Sequence, residues 1–312
     1  MIELTRERLR QWLRLGPSPE GMGLTVDDVV AEETFERRRV TYTALDGDRI
    51  PAFLLVPANR RRCPAVIIHH QHNGERHLGK SEVCGLAGNS LQAFGPALAK
   101  RGFVVLAPDS ICFEDRRAGV NGVEPHPADW DQHYNEMTYR LVRGDTLMRK
   151  VLDDAAAGIS VLAELDIVDQ ERIGVLGHSY GGNTALFQTA VDDRVRFACS
   201  SGAVCSYRNK MERGTGIEMA EVIPDVVGQF DVDDLLRLAA PRPMLVVSAA
   251  DDPYSFDATE MVRLARPAYS AANAQDALEH AQYEGGHALT RERFDRIVEW
   301  IAHAGRDQAR IL

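Results

Sequence analysis

Residues 172–182 read Arg-Ile-Gly-Val-Leu-Gly-His-Ser-Tyr-Gly-Gly, and this stretch decides the fold. Its first half is a short apolar run of the kind found in buried strands, and a helical pattern follows over residues 183–191. A serine between a strand and a helix lies on a sharp turn that projects its hydroxyl away from the sheet. Gly177 and Gly181 fit such a turn, because a Cβ there would collide with a neighbouring strand or helix. The stretch therefore predicts that Ser179 is a nucleophile.

The same turn predicts where a negative charge would be stabilised. The backbone N–H of Tyr180 and the N-terminus of the following helix point to one place, where an oxyanion could lie. The alternative is a glycine-rich turn with a structural role only. Because the bare Gly-x-Ser-x-Gly pattern also arises by chance at average residue usage, the prediction depends on its strand–turn–helix context.

A serine hydroxyl becomes a nucleophile when a base takes its proton and a third group orients that base. Candidates for both follow in the chain order Ser, Asp, His, which is expected of an α/β-hydrolase. Asp251 and Asp252 come after a buried strand at residues 243–248, and either could instead cap the next helix. We favour Asp251 as the acid. His287 follows two glycines in the loop before the final helix; it is the predicted base, with a capping or surface role as the alternative.

Strands and helices alternate over most of the chain. The alternation of apolar and polar residues over 36–57 predicts an antiparallel hairpin around the turn Asp46-Gly47-Asp48. The alternation of strands and helices that follows is typical of an α/β protein with a doubly wound, mostly parallel sheet and helices on both faces. The predicted strands are 65–70, 103–107, 172–176, 195–200, 244–248 and 278–283, and the predicted helices are 91–101, 146–165, 183–191, 257–271 and 290–303.

The chain is predicted to form one catalytic domain, residues 36–312, after a helical lead-in over residues 1–35. Two stretches, 113–145 and 205–236, interrupt the alternation. Both follow the carboxyl ends of predicted strands, where ligands bind in open α/β sheets. They are candidates for a cap over the site, although ordinary surface insertions would look the same.

Composition excludes several classes of protein. With 312 residues, 45% of them hydrophobic, the chain can bury a full core. A net charge of −10 without a compensating basic stripe argues against a nucleic-acid partner. No apolar run approaches the ~20 residues of a membrane span, and the charged N-terminus lacks the apolar segment of a secretory signal. Five cysteines without CxxC spacing predict buried or free thiols in a cytoplasmic protein.

These motifs together resemble α/β-hydrolases of the dienelactone hydrolase and acetyl xylan esterase type, over residues 40–304. A fourth motif, His70-Gln71-His72-Asn73-Gly74, adds to the resemblance. In carbohydrate acetylesterases of this type a His-Gly-x-Asn-Gly segment follows the third strand, and its middle residue lends a backbone N–H to the oxyanion hole. The resemblance therefore implies that His72 shares this role with Tyr180. Gln71 departs from the usual glycine, but the oxyanion hole requires only an amide.

Histidines near the predicted strand 65–70 raise the question of a metal. His69 and His70 face opposite sides of a strand, and His70 with His72 would supply two protein ligands where a hydrolytic zinc site usually has three. We therefore predict no metal and no cofactor. His70 is expected to brace the oxyanion loop, and His72 to line the pocket. The further candidates for the substrate pocket are His70, His178, Trp130 and Tyr207.

The sequence thus predicts a serine hydrolase that cleaves a carboxylic ester through an acyl-enzyme. The expected partner is a small-molecule substrate, with a small acyl group on a sugar or secondary metabolite. One alternative is a peptidase of the prolyl oligopeptidase type, although roughly 35 residues before the hairpin leave no room for that family's N-terminal propeller. Another is a non-catalytic ligand-binding protein of the same fold, which would usually lack a triad residue. Whether the chain forms a homo-oligomer stays open.

Overall fold

Nine strands and eleven α-helices alternate through the described residues, which are 4–58 and 62–307 of this computed structural model. The strands are β1 (Thr25–Ala31), β2 (Phe35–Thr43), β3 (Arg49–Pro57), β4 (Cys63–His69), β5 (Val104–Pro108), β6 (Val168–His178), β7 (Phe197–Ser201), β8 (Met244–Ala249) and β9 (Leu278–Tyr283). The helices are α1 (Arg6–Trp12), α2 (Lys80–Val83), α3 (Phe94–Ala99), α4 (Asp129–Val142), α5 (Leu147–Ala163), α6 (Tyr180–Val191), α7 (Tyr207–Arg213), α8 (Val226–Gln229), α9 (Val232–Ala239), α10 (Ala258–Ala271) and α11 (Arg291–Asp307).

The nine strands form one mixed sheet in the order β1-β2-β3-β5-β4-β6-β7-β8-β9. β1, β2 and β3 pair antiparallel, and β3 is also antiparallel to β5. All pairs from β5 to β9 are parallel. The predicted mostly parallel sheet with an antiparallel hairpin at its front edge is therefore confirmed. Because parallel strands end at the same edge, the segments after β4, β6, β8 and β9 lie close together.

The sheet is buried on both faces. In β4, Ala65 and Ile67 pack into one apolar core, whereas Val66 and Ile68 pack into the other. Side chains alternate between faces, so a strand covered on both sides reads as an unbroken apolar run. Side chains of α1, α5, α6, α9 and α10 join the first core, and those of α3 and α11 join the second. All five cysteine side chains are buried.

The N-terminal segment differs from the predicted helical lead-in. Within residues 4–24 only α1 is helical, and β1 then adds an antiparallel edge strand to β2. The segment contains Val26, Val29 and Val30, whose β-branched side chains favour a strand, and β2 offers it an unpaired edge. The helix predicted over 91–101 is shorter than expected, because Pro96 is accommodated in the first turn of α3. No helix within the described ranges is long and apolar enough for a membrane crossing.

A buried cluster of charges holds the segment after β5. The ammonium of Lys80, a residue only 1% exposed, lies 2.7 Å from a carboxylate oxygen of Asp109, 2.5 Å from one of Glu114 and 2.7 Å from one of Asp115. Burial and the neighbouring Glu114 raise the pKa of Asp109 to about 7. The three carboxylates are grouped closely enough to hold a metal ion, and the lysine ammonium contacts all three.

We predict that Lys80→Met strongly destabilises the fold. The substitution leaves buried carboxylates without their cation, and breaking a buried ion pair from one side costs about 3–5 kcal/mol. Urea denaturation measures the change in the free energy of unfolding. The matched control is Arg263→Met, which removes an exposed pair with Glu260 and should leave the unfolding midpoint unchanged. Equal effects of the two substitutions would contradict the prediction.

Candidate active site

Ser179 lies on the sharp turn between β6 and α6, with φ 56° and ψ −123°. A positive φ is uncommon for any residue other than glycine and is a form of strain found at functional sites. A Cβ on Gly177 would lie 2.0 Å from the carbonyl oxygen of Gly181, and a Cβ on Gly181 would lie 2.0 Å from that of His69. Both positions therefore require glycine, which is the physical basis of the motif.

Three distant side chains form a hydrogen-bonded chain at this edge of the sheet. The hydroxyl of Ser179 lies 2.8 Å from Nε2 of His287. Nδ1 of the same ring lies 3.0 Å from Oδ1 of Asp252. The structure thus brings together Ser179 and His287 as the sequence predicts, and joins them to a carboxylate.

The carboxylate is Asp252 rather than Asp251, which corrects our preference between the two. Asp252 is 1% exposed, whereas Asp251 is exposed and makes no side-chain hydrogen bond within the described part of the chain. After β8 the backbone turns, and the N–H of Asp252 donates to the carbonyl of Ala249 at 3.2 Å. This turn points one carboxylate inward and its neighbour outward, and sequence spacing alone does not show which.

Asp252 is held as an ionised acceptor. Burial would raise the pKa of its carboxyl group, but hydrogen bonds from His287, from the Ser255 hydroxyl at 2.7 Å and from the Tyr254 N–H at 2.9 Å lower it below the usual value. An ionised Asp252 accepts the Nδ1–H of His287, which leaves Nε2 free to accept the proton of Ser179. In this geometry Ser179, His287 and Asp252 can act as a nucleophile, a base and an orienting acid.

His178 stacks on His287 instead of lining the pocket. Its ring stacks on His287 with centroids 5.0 Å apart, and its Nδ1 lies 3.0 Å from the Ser201 hydroxyl. Burial, together with the charge of His287, lowers the pKa of His178 to about 3, so this ring is neutral. The interpretation of His178 as a pocket residue is corrected, because the strand end buries it.

Arg293 fixes the loop that carries His287, and sequence reasoning missed it. Its guanidinium donates to the backbone carbonyls of Gly286 at 2.7 Å, Ala288 at 3.0 Å and Glu284 at 2.6 Å. One side chain from α11 thus satisfies three carbonyls of a glycine-rich loop. No short motif marks such a residue, because an arginine near a helix start is ordinary in sequence.

The segment after β4 turns sharply beside Ser179. Asn73 and Gly74 have positive φ values of 38° and 79°, which suit asparagine and glycine. His72 lines the same cavity as Tyr180 and Ser179. The N–H of Tyr180 is the first of α6, and the first N–H groups of a helix have no partner inside it.

His70 lies under this loop and does not line the cavity over Ser179. Its Nδ1 is 2.8 Å from the carbonyl of Gln71, and its Nε2 accepts the N–H of Ser110 at 3.0 Å. Burial lowers its pKa to about 4, so the ring braces the loop as a neutral group. Gln71, which stands where glycine is usual, is also buried and donates to Glu82 at 3.2 Å.

A cavity of about 390 Å³ opens over Ser179. Both segments that interrupt the strand–helix alternation contribute to its wall, the first through Trp130 and the second through Lys210, residues 216–219 and Glu221. Tyr207 is only 1% exposed and does not line this cavity, which corrects its interpretation as a pocket residue. Its side chain belongs instead to the first apolar core. Of the four further pocket candidates, only Trp130 lines the cavity.

Part of the cavity wall is a satisfied ion pair. The ammonium of Lys210 lies 2.9 and 2.8 Å from the two carboxylate oxygens of Glu221, and Asn183 donates to the same carboxylate at 2.9 Å. Lys210 and Glu221 side chains are each 2% exposed. This ion pair holds that part of the cavity wall in place, because separating the two residues would leave a buried charge unpaired and lower the stability of the fold.

The elbow after β6, the hydrogen-bonded chain Ser179–His287–Asp252 and the cavity above it are the features of a serine hydrolase with the α/β-hydrolase fold. Comparisons with known proteins agree. The sequence pattern of the acetyl xylan esterase family (AXE1) matches residues 24–221, and the chain belongs to this family. The pattern of the prolyl oligopeptidase family, which shares the fold, matches residues 144–304.

Individual relatives support the same class. YtaP of Bacillus subtilis (strain 168), named as a hydrolase, is 28% identical over 257 residues, which are 79% of this chain and 81% of YtaP. Among solved structures, acetyl xylan esterase 1 from Thermoanaerobacterium sp. JW/SL YS485 aligns with a TM-score of 0.61 and 18% identity, over 97% of this chain and 99% of that one. A glucuronoyl esterase from Solibacter usitatus aligns with a TM-score of 0.68 and 16% identity, over 96% and 92%. At these identities the structures show a shared fold.

We predict that Asp252→Asn lowers kcat for p-nitrophenyl acetate by about 10³–10⁴-fold, because an amide does not stabilise the charged imidazole or hold its tautomer. Asp251→Asn is the matched control and should leave kcat unchanged. Steady-state kinetics on both variants decides between the two neighbouring carboxylates. A large loss in the Asp251 variant alone would show that the turn after β8 is arranged differently.

Proposed function

We propose that the protein hydrolyses a carboxylic ester with a small acyl group, through a covalent acyl-enzyme on Ser179. The observation that supports this most strongly is the hydrogen-bonded chain of Ser179, His287 and Asp252 at the bottom of a cavity. A serine hydroxyl has little nucleophilicity until a base removes its proton, and here the base is in contact with it.

The proposed reaction proceeds in two halves. His287 takes the proton of Ser179 as its oxygen attacks the ester carbonyl, and the backbone N–H groups of Tyr180 and His72 stabilise the tetrahedral oxyanion. His287 then gives that proton to the leaving alcohol, which breaks the ester C–O bond and leaves an acyl-serine. A water molecule, deprotonated by the same imidazole, then attacks the acyl-serine. The bond between the acyl carbon and the Ser179 oxygen breaks, that oxygen takes the proton from His287, and the acid is released. Each oxyanion donor of this kind contributes about 10²–10³ in rate.

The substrate class rests on the cavity and on the relatives. A volume of about 390 Å³ is within the range of small-molecule sites. A small acyl ester therefore fits, and acetyl xylan esterases are among the proteins that the chain resembles. The match to the prolyl oligopeptidase family keeps peptides as a second class of substrate to test.

We expect Ser179→Ala to lower kcat for p-nitrophenyl acetate by about 10⁴-fold or more, since the nucleophile is lost. The variant should also lose covalent labelling by a fluorophosphonate probe, detected as a mass increase of the intact protein. Ser270→Ala, at an exposed serine on α10, is the control and should keep both properties. Labelling or turnover that persists in the Ser179 variant would disprove the assignment.

Chelators and peptides test the competing classes of hydrolase. Because the proposed chemistry uses only groups of the protein and water, incubation with EDTA should leave ester hydrolysis unchanged, whereas a metal-dependent hydrolase would lose activity. Peptide p-nitroanilides should be cleaved at least about 10²-fold less efficiently than p-nitrophenyl acetate, as measured by kcat/KM under the same conditions. Efficient cleavage of the peptides would favour the peptidase class instead.

A further inference from the structure

One carboxylate in the cavity wall lacks the partner that its burial requires. The side chain of Glu218 is 9% exposed and lines the cavity over Ser179. Its Oε2 accepts the N–H of Ala220 at 2.7 Å, but its Oε1 is buried and has no hydrogen-bond partner. Buried polar atoms are nearly always satisfied, and each exception calls for an explanation.

A donor of His72 lies near this oxygen without reaching it. Nε2 of His72 is 3.9 Å from Oε1, which is too long for a hydrogen bond. Nδ1 of His72 accepts the N–H of Gly74 at 2.9 Å, so the proton of this neutral ring is on Nε2 and faces Glu218. Burial lowers the pKa of His72 to about 4, which keeps the ring neutral.

Arg76 lines the same cavity and is 5% exposed. Its Nε donates to His133 at 3.3 Å and its Nη1 to the carbonyl of Gly74 at 3.2 Å. It forms no ion pair with any carboxylate in the described part of the chain. The guanidinium therefore has further N–H groups that could donate to a ligand. Its positive charge also acts on Glu218 through space.

The charges of Glu218 and Arg76 restrict which chemical groups of a ligand can bind next to them. Burial and the neighbouring Glu221 raise the pKa of Glu218 to about 7, so this carboxyl group gains and loses a proton near neutral pH. An ammonium group would be repelled by Arg76, and a carboxylate would be attracted by Arg76 but repelled by the ionised form of Glu218. An alkyl group would leave both unpaired, which is costly. A hydroxyl group donates one hydrogen bond and accepts others, so it alone among these satisfies both sides at once.

We propose that Glu218, together with Arg76, recognises a free hydroxyl group on the alcohol part of the ester. This inference rests on the proposed ester hydrolysis, and it assigns the hydroxyl to the alcohol because the proposed acyl group is small. Glu218 is then a specificity-determining residue of the cavity, and esters of polyols are better substrates than esters of plain alkanols. A hydrogen bond to a charged group is worth about ten- to hundred-fold in affinity.

Two acetate esters of equal chain length test the proposal. Glycerol monoacetate carries two hydroxyl groups that propyl acetate lacks, and the ratio of their kcat/KM values measures hydroxyl recognition. We expect the wild-type protein to prefer glycerol monoacetate by about ten- to hundred-fold. Glu218→Leu should lower this ratio at least ten-fold, mainly through the hydroxylated substrate.

Two further variants make the test decisive. Glu218→Gln keeps the shape of the side chain and a neutral acceptor, so the ratio should fall by a smaller, several-fold amount. Glu212→Gln, at an exposed position on α7, should keep the wild-type ratio. Thermal melting shows whether each variant is folded, and if Glu218→Leu does not fold, the ratio in Glu218→Gln decides.

The outcomes separate this inference from the proposed function. An unchanged ratio in a folded Glu218→Leu variant, or an equal loss for both esters, would overturn the role of Glu218. Wild-type protein that hydrolyses both esters without preference would also overturn it while leaving ester hydrolysis intact. Failure to hydrolyse either ester or p-nitrophenyl acetate would refute the proposed function, and this inference with it.

Discussion

The close approach of α6 to the ends of β4 and β6 is the constraint on which the site depends. Gly181 lies so near the carbonyl of His69 that a Cβ would come within 2.0 Å of that oxygen. This contact holds Ser179 in its strained backbone conformation and places the first N–H of the helix beside the nucleophile. It also brings the segment after β4, with His72, to the same point. One packing contact thus positions Ser179, the proposed nucleophile, and both N–H groups proposed for the oxyanion.

The groups that set the electrostatic environment around this contact are neutral histidines and the ionised side chain of Asp252. Burial lowers the pKa values of His70 and His72 to about 4 and that of His178 to about 3, so none of these rings places a positive charge next to His287. Hydrogen bonds keep Asp252 ionised despite its burial. A base beside one anion and several neutral rings is stabilised when it takes a proton, which is what attack by Ser179 demands.

The wall contributed by residues 205–236 contains two carboxylates with different surroundings. Glu221 accepts hydrogen bonds from Lys210 and Asn183, and this pairing stabilises the wall. Glu218, three residues earlier, has an oxygen with no partner. An unpaired buried acceptor lowers the stability of the fold. Its presence above Ser179 is explained most simply by a ligand that donates a hydrogen bond to it.

Local patterns in the sequence were sufficient to predict the mostly parallel sheet and the sharp turn at Ser179, because glycine requirements and apolar periodicity are encoded over a few residues. They also singled out His287, which lies 2.8 Å from the Ser179 hydroxyl. The tertiary structure decided the rest. It placed Asp252 rather than Asp251 against His287, because the direction of a side chain after a strand depends on how the turn packs. It made residues 25–31 an edge strand, because the free side of β2 lies next to them. Long-range packing also buried His178 and Tyr207 and left Glu218 facing the cavity, since burial is a property of the folded chain and not of a residue type.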